Sequence, residues 1–287
     1  MKILVTGAEG QLGSDIRQRA AHHPQWEFHC IDIRDVDLTD SEAAAAFFKG
    51  HSYDWVINTA AYTAVDRAET DVQGARAGNV VLVENLVDII RPKGSYLIHL
   101  STDYVFDGTS SRPYKENDIP NPQSVYGHTK LEGEKRALHY QNAMVVRTSW
   151  LYSSLGQNFM NSILRKAKSG EPLKVVNDQF GTPTYAGHLA DAILTIIHKI
   201  EGGTTFQPGV FHFSNSGTCS WFDFARAILS EAGLDVSVTP IDTNAFPTAA
   251  KRPAYSVLSK HKLIQTFNIQ IPHWKDGLRE CLRNLVQ

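Results

Sequence analysis

The sequence predicts an α/β protein: a doubly wound parallel sheet followed by a smaller C-terminal α/β subdomain. Three observations predict it. Apolar β-branched runs alternate with helical segments through the first 150 residues, the rhythm of a parallel sheet with helices on both faces. A glycine-rich turn lies between the first strand and the first helix. After about residue 150 the rhythm weakens, and shorter strands interleave with helices.

Residues 2–6 (KILVT) form a continuous apolar run, as a strand buried on both faces requires. A helical run follows from Leu12 to Ala21. Trp26 to Asp32 reads as the second strand. Asp40 and Ser41 cap a helix over Ala43–Phe48. Residues 53–60 give a third strand, and Asn79 to Ile90 an apolar-periodic helix stopped by Pro92 and Gly94. Residues 95–101 make the fourth strand. Residues 107–123, rich in Gly, Ser, Pro and Asn, form a long loop of the kind that is often functional. A helix over Val125–His139 and a strand over Ala143–Ser149 complete this half. Beyond it, strands at Leu173–Asn177 and Val210–Ser214 and helices at Ala186–Ile200, Trp221–Ala232 and Trp274–Val286 read as the subdomain, laid over the sheet edge. The expected division is therefore 1–150 and 151–287, with some chain exchange between the lobes.

Composition narrows the function classes. The chain has 287 residues, 42% apolar, with a formal net charge of −2. Such a balance is unlike a polybasic nucleic-acid binder, which gains affinity by neutralising phosphates. No uninterrupted apolar stretch approaches the ~18 residues that suggest a membrane span. The N-terminus reaches Gly and Glu before the apolar core of a signal peptide forms. The expectation is a cytoplasmic protein bound to neither membrane nor nucleic acid. Cys30, Cys219 and Cys281 are odd in number and form no C-x-x-C pair. They read as reduced thiols, with no metal site.

Thr6-Gly7-Ala8-Glu9-Gly10-Gln11-Leu12-Gly13 closes strand one and opens a helix. Glycines there let the backbone approach a pyrophosphate, and the helix N-terminus offers it free N–H groups. The spacing is G-x-x-G-x-x-G. Its strand-before, helix-after context makes it a dinucleotide-binding signal of the Rossmann type. Asp32 ends strand two, where a carboxylate accepts from ribose hydroxyls and favours NAD. Arg34, two residues on, suits a 2′-phosphate and favours NADP. NADPH and NADH both stay open. Asp37 and Leu38 are placed for the adenine edge. Ala60, Ala61, Tyr62 and Thr63 follow strand three, where the two alanines permit close approach of the cofactor.

Tyr126-Gly127-His128-Thr129-Lys130 places a phenol and an ammonium at i and i+4, on one helix face. The expectation is that Lys130 lowers the Tyr126 pKa by favouring the anion, tuning it for proton transfer. Thr102 lies at the end of the fourth strand, at the carboxyl edge where doubly wound sheets bind ligands, and would offer its hydroxyl to a substrate oxygen.

Glycine turn, strand-end hydroxyl and Y-x-x-x-K together resemble the extended short-chain dehydrogenase/reductase superfamily. The segments Ser101–Gly108 (STDYVFDG), Arg147–Tyr152 (RTSWLY), Asn177–Thr184 (NDQFGTPT), Ala60–Glu69 (AAYTAVDRAE) and Lys251–Ser256 (KRPAYS) resemble, within it, reductases of nucleotide-linked 4-keto-6-deoxyhexoses. The likeness spans almost the whole chain. It implies hydride delivery from NAD(P)H to C4, with Thr102, Tyr126 and Lys130 catalytic and Tyr126 protonating the alkoxide. It implies cofactor contacts at Gly10, Gln11, Leu12, Asp32, Asp37, Leu38, Ala60, Ala61, Tyr62, Thr63, Tyr126 and Lys130, beside Gly7 and Gly13 of the turn and Arg34 after strand two. It implies substrate contacts at Val65, Thr102, Asp103, Tyr126 and Trp150, whose indole would wall the sugar pocket.

The C-terminal subdomain is expected to hold the nucleotide. Arg252 is the candidate diphosphate contact, because a planar guanidinium pairs well with phosphate oxygens. Phe180 and Trp221 read as core aromatics, with base stacking as the alternative. Some relatives bind magnesium with acidic side chains at a dimer interface. Here Asp15 is present, but His188 stands where a carboxylate is expected. Magnesium dependence is thus in doubt, and both monomer and homodimer stay open. Two rivals remain: a nucleotide-sugar epimerase or dehydratase, and a non-catalytic regulatory subunit on the same fold. Against the dehydratase, Asp103 is followed by Tyr104 and not by a second carboxylate.

Overall fold

The computed structural model of the chain describes residues 1–285; Val286, the expected end of the last helix, lies outside them. In chain order come β1 (Lys2–Thr6), α1 (Gln11–Ala20), β2 (Glu27–Ile31), α2 (Ser41–Lys49), β3 (Trp55–Asn58), α3 (Val65–Ala68), α4 (Val72–Arg76), α5 (Leu82–Ile90), β4 (Tyr96–Thr102), α6 (Val125–Leu138) and β5 (Ala143–Thr148). Then follow β6 (Leu151–Tyr152), α7 (Phe159–Ser169), β7 (Leu173–Val176), β8 (Phe180–Gly181), β9 (Thr184–Tyr185), α8 (Ala186–Glu201), β10 (Gly209–His212), β11 (Cys219–Ser220), α9 (Trp221–Glu231), β12 (Val238–Ile241), α10 (His261–Phe267) and α11 (Trp274–Leu285).

Six strands form one parallel sheet in the order β2-β1-β3-β4-β5-β10. Chain direction reverses its walk at β1, so a crevice opens above the carboxyl ends of β1 and β3. The strands are apolar throughout because both faces are covered. Ile3, Val5, Ile57, Ile98 and Val146 pack under α1 and α8. Leu4, Val56, Leu97 and Val145 pack under α2 and α5 on the other face. Asp40 caps α2 through the Glu42 and Ala43 amides at 2.9 and 3.1 Å, as the sequence predicts.

Two segments expected in the C-terminal subdomain belong to this sheet. The run at Val210 becomes β10 and pairs with β5, and α8 packs on α1. A parallel partner for β5 needs a crossover, and α8 supplies it. What remains, α7, α9 and α11 with β7 and β12, closes a separate core around Tyr152, Phe224 and Trp274. The helix expected from Asn79 starts earlier. α4 runs into α5 through a π-helical turn, Ala77–Val81, that carries Asn79.

Arg19 on α1 ties the lobes. Its Nη1 lies 3.0 Å from Asp15, its Nε 2.6 Å from Asp191 on α8, and its Nη2 3.8 Å from Glu280 on α11. Burial raises the Asp15 carboxyl, while the Ser153 hydroxyl and Arg19 pull it partly back. His188 accepts from Asn215 Nδ2 at 2.7 Å and meets Glu280 at 3.1 Å through its other nitrogen. These residues do not fit a magnesium ion, because the carboxylates already face a resident guanidinium. Among the described residues no group of three or more His, Cys, Asp or Glu is arranged for a metal.

Arg19→Gln strands the buried Asp15 without its counter-charge. It should lower unfolding stability by about 2–3 kcal/mol in a urea titration. The urea midpoint of the unaltered chain should not move with added magnesium or with a chelator.

Candidate active site

A cleft of about 900 Å³ opens along the carboxyl edge of the sheet. Its floor is the β1–α1 turn. Gly7 has φ +68, and a Cβ there would sit 2.7 Å from the Ala60 amide nitrogen. Only glycine lets β1 and the Ala60 segment close on each other. Gly10 is the N-cap of α1, with no side-chain cap and no acidic residue in the first turn. The positive end of α1 is thus left open toward the cleft, the arrangement that binds phosphate. Gly13 does not line the cleft. A Cβ there would collide with the Gly7 carbonyl, so its part is to seat α1 against the turn.

The far wall holds Asp32, which accepts from the Glu9 and Ile33 amides at 2.9 and 2.8 Å. Those bonds fix the carboxylate at the end of β2. Arg34 reaches Glu9 at 3.7 Å, is 81% exposed, and stays outside the lining. Asp37 and Leu38 line the cleft beside it, and the Leu38 carbonyl accepts from Asn85 at 3.0 Å. Ala60 to Thr63 and Val65 form the roof. Asn79 holds that roof: its Oδ1 accepts from the Tyr62 amide at 2.9 Å, and its Nδ2 donates to Thr129 on α6 at 3.0 Å. No sequence signal marked Asn79, because its placement depends on the π turn.

At the other end Thr102, Asp103, Tyr126, Lys130 and Trp150 come together on the lining. Ser124 caps α6 at the Gly127 amide, 3.1 Å away, and so starts the helix just before Tyr126. Lys130 donates to the Leu100 carbonyl at 2.7 Å. Burial pushes its pKa down to about 8, with Glu134 pulling the other way. The Tyr126 phenol is not lowered as expected. Burial pushes it up to about 12, the Thr102 hydroxyl offsetting part of this and Asp103 adding to it. The reason is tertiary: Lys130 is tethered to β4, and the phenol is buried at the edge of the cleft. The neutral phenol is a proton donor, the form that reduction needs.

Asp103 is buried, and burial pushes its carboxyl up to about 6. Thr102 Oγ1 donates to its Oδ1 at 3.1 Å, and the Ser256 and Thr102 hydroxyls pull the carboxyl partly back down. Tyr104, Thr148, Ser149 and Gln157 also line the cleft and were not singled out in the sequence. Arg252 lies one ring behind the lining. It donates to Asp66 at 2.6 Å, packs over Tyr104 at 5.8 Å, and keeps Nη1 buried without a protein partner. Phe180 is 42% exposed, so it is not a core aromatic.

A parallel sheet with an open glycine turn at its switch point and a Thr, Tyr and Lys at the same edge defines an oxidoreductase of the short-chain dehydrogenase/reductase type. The comparisons narrow this. The family model described as RmlD substrate binding domain matches residues 1–287, and the chain belongs to that family. It is 39% identical to the dTDP-4-dehydrorhamnose reductase of Aggregatibacter actinomycetemcomitans, over 97% of each chain. A dTDP-4-dehydrorhamnose reductase structure from Clostridium acetobutylicum superposes with a TM-score of 0.93 at 40% identity, covering 100% of both chains. One from Bacillus anthracis, in complex with NADP, gives 0.93 at 34% identity over 99% of both.

Asp103 sets a pH dependence of stability. Its folded pKa, about 6, exceeds the unfolded value of about 4. The folded state therefore holds the proton more tightly, and stability is lost as pH rises through that window. Asp103→Asn should be about 2 kcal/mol more stable than the unaltered chain at pH 7.5. That advantage should fade toward pH 4, as read by urea unfolding at each pH.

Proposed function

We propose that the chain reduces the C4 ketone of dTDP-4-dehydro-6-deoxy-L-mannose (dTDP-4-dehydrorhamnose) to dTDP-L-rhamnose with NADPH or NADH, supplying a precursor of cell-surface polysaccharide. The observation that carries the reading is the meeting of Thr102, Tyr126 and Lys130 beside an uncapped α1 N-terminus in one cleft. The near-full-length likeness to dTDP-4-dehydrorhamnose reductases supports the choice of substrate. In this reading residues 1–150 carry the cofactor and the reacting end of the sugar, and residues 151–287 contribute to the nucleotide through Arg252.

The cleft residues fit a nicotinamide dinucleotide. The turn presents backbone N–H groups for the pyrophosphate, Asp32 faces the ribose end, and Asp37, Leu38 and the Ala60–Thr63 roof enclose the rest. When bound, the reduced dinucleotide supplies the hydride. Tyr126 gives its phenolic proton to the C4 oxygen as negative charge develops there. Thr102 hydrogen-bonds the same oxygen. Lys130, tethered to the Leu100 carbonyl, presents its ammonium on the lining as a donor for the nicotinamide ribose. Asp103, Val65 and Trp150 orient the sugar. Arg252 reaches the diphosphate by releasing Asp66, and its unpartnered Nη1 supports that exchange. The cleft takes a small-molecule nucleotide sugar. No helix among the described residues is long and apolar enough to cross a membrane.

The deciding experiment incubates the protein with dTDP-4-dehydrorhamnose and each reduced cofactor, follows the nicotinamide absorbance, and identifies the sugar by NMR. One cofactor should be consumed per dTDP-L-rhamnose formed. Turnover without net oxidation would indicate an epimerase or dehydratase instead. Tyr126→Phe should lower kcat by about 10²–10⁴-fold, the usual loss with a general acid; unchanged kcat would remove Tyr126 from that role.

Arg34, 81% exposed and paired only loosely with Glu9 at 3.7 Å, can turn to meet a 2′-phosphate, whereas Asp32 is fixed by two amides. Arg34→Ala should raise KM for NADPH by about tenfold and leave KM for NADH unchanged, in parallel steady-state titrations.

A further inference from the structure

Trp150 has a backbone that L-residues rarely adopt, with φ +47. Its left-handed conformation turns the chain sharply after β5 and brings the indole to the cleft. Its main chain is pinned: the carbonyl accepts from the Thr184 amide at 3.1 Å, and Ser149 Oγ donates to the Thr182 carbonyl at 2.9 Å. Main-chain bonds do not fix an indole. That task falls to a neighbour from another lobe. Trp221, the first residue of α9, stacks on Trp150 with ring centroids 3.5 Å apart and planes 7° from parallel. Trp221 is itself held. It follows Ser220, whose capping box with Asp223 sets the start of α9. Phe159 packs against its ring at 4.6 Å and 51°. Gly181 closes on the same Trp150 indole, and a Cβ there would overlap the ring.

We infer that Trp221, which does not line the cleft, is a positioning residue for the sugar site: it holds the Trp150 indole as a fixed wall and so sets affinity for the nucleotide sugar. The inference rests on the proposed role of Trp150 and goes beyond it. A wall that must hold one orientation against solvent gains from a broad flat partner, since preorganisation removes an ordering cost from binding. The indole of Trp150 lines the cleft together with Thr102, Asp103 and Tyr126, the residues proposed to meet the sugar. Its effect should therefore fall on the sugar and not on the cofactor.

The test uses Trp150→Ala, Trp221→Ala, Trp221→Phe and the Trp150→Ala/Trp221→Ala double variant. Two indoles in face-to-face contact give an exciton couplet in the far-UV circular dichroism, and each single variant should lose it. Trp221→Ala should raise KM for the nucleotide 4-ketosugar by about tenfold, with kcat within about threefold and cofactor KM unchanged. Trp221→Phe, which keeps a flat ring and guards against misfolding, should recover most of that KM. If Trp221 works only through Trp150, the double variant should be no worse than Trp150→Ala alone. The inference is overturned if Trp150→Ala raises KM while Trp221→Ala, having lost the couplet, does not. It is overturned equally if the two losses multiply in the double variant. If Trp150→Ala leaves KM unchanged, the fault lies in the role proposed for Trp150.

Discussion

The site depends on where α6 sits, and one buried ion pair seats it. Arg147 on β5 grips Glu134 on α6 through two parallel bonds of 2.8 and 2.7 Å, with both side chains almost wholly enclosed. Ser101 on β4 donates a third bond to the same carboxylate. A bidentate pair fixes orientation as well as distance. It holds α6 across β4 and β5, so that Lys130 and Tyr126, one and two turns before Glu134, reach the carboxyl edge. Two glycines let the helix close. A Cβ at Gly127 would meet the Tyr104 carbonyl, and one at Gly133 would meet the Asn79 carbonyl. The second contact joins α6 to the π turn, whose Asn79 carries the Tyr62 segment. Cofactor roof and proton donor are thereby positioned by one helix.

Several polar groups near the cleft have no protein partner although they are buried. They include Thr148 Oγ1 and Arg252 Nη1. Burying such groups unpaired is costly, and the fold tolerates them where a ligand can use them. The raised Asp103 carboxyl is the same cost read as a pKa. The strained Trp150 backbone belongs with them. Thr148 and Trp150 bring one such group and the strained backbone to the cleft itself, while others, among them both ring nitrogens of His212, lie elsewhere in the fold. A sequence optimised only for stability would not place them so.

Local features were legible in the sequence. The glycine turn, the Asp40 cap, the strand-end Thr102 and the i, i+4 relation of Tyr126 to Lys130 each depend on a few neighbouring residues. What escaped was set by contacts distant in the chain. β10 joins β5 across more than 60 residues, so the weakened rhythm after residue 150 was read as a separate lobe. The Lys130 tether crosses 30 residues to Leu100, and i, i+4 spacing alone suggested a lowered phenol. Asn79 sits in a π turn that periodicity reads as plain helix. The Arg19 cluster draws on α1, α8 and α11, and no single segment announces it.

Near-neutral charge and two anionic ligands are reconciled at the α1 N-terminus. Glu9, Asp32, Asp37 and Asp103 all line the cleft, and among the described residues Lys130 is its only lysine or arginine. Side chains alone would give the cleft a negative balance. The compensating charge has to come from the backbone: an uncapped helix end with no acidic residue in its first turn presents its N–H groups and about half a positive charge. Unlike a cluster of lysines, a helix end has direction. It favours an anion at one place in the cleft. Charge at the protein's surface can then remain balanced, because recognition of the anion is carried by backbone geometry.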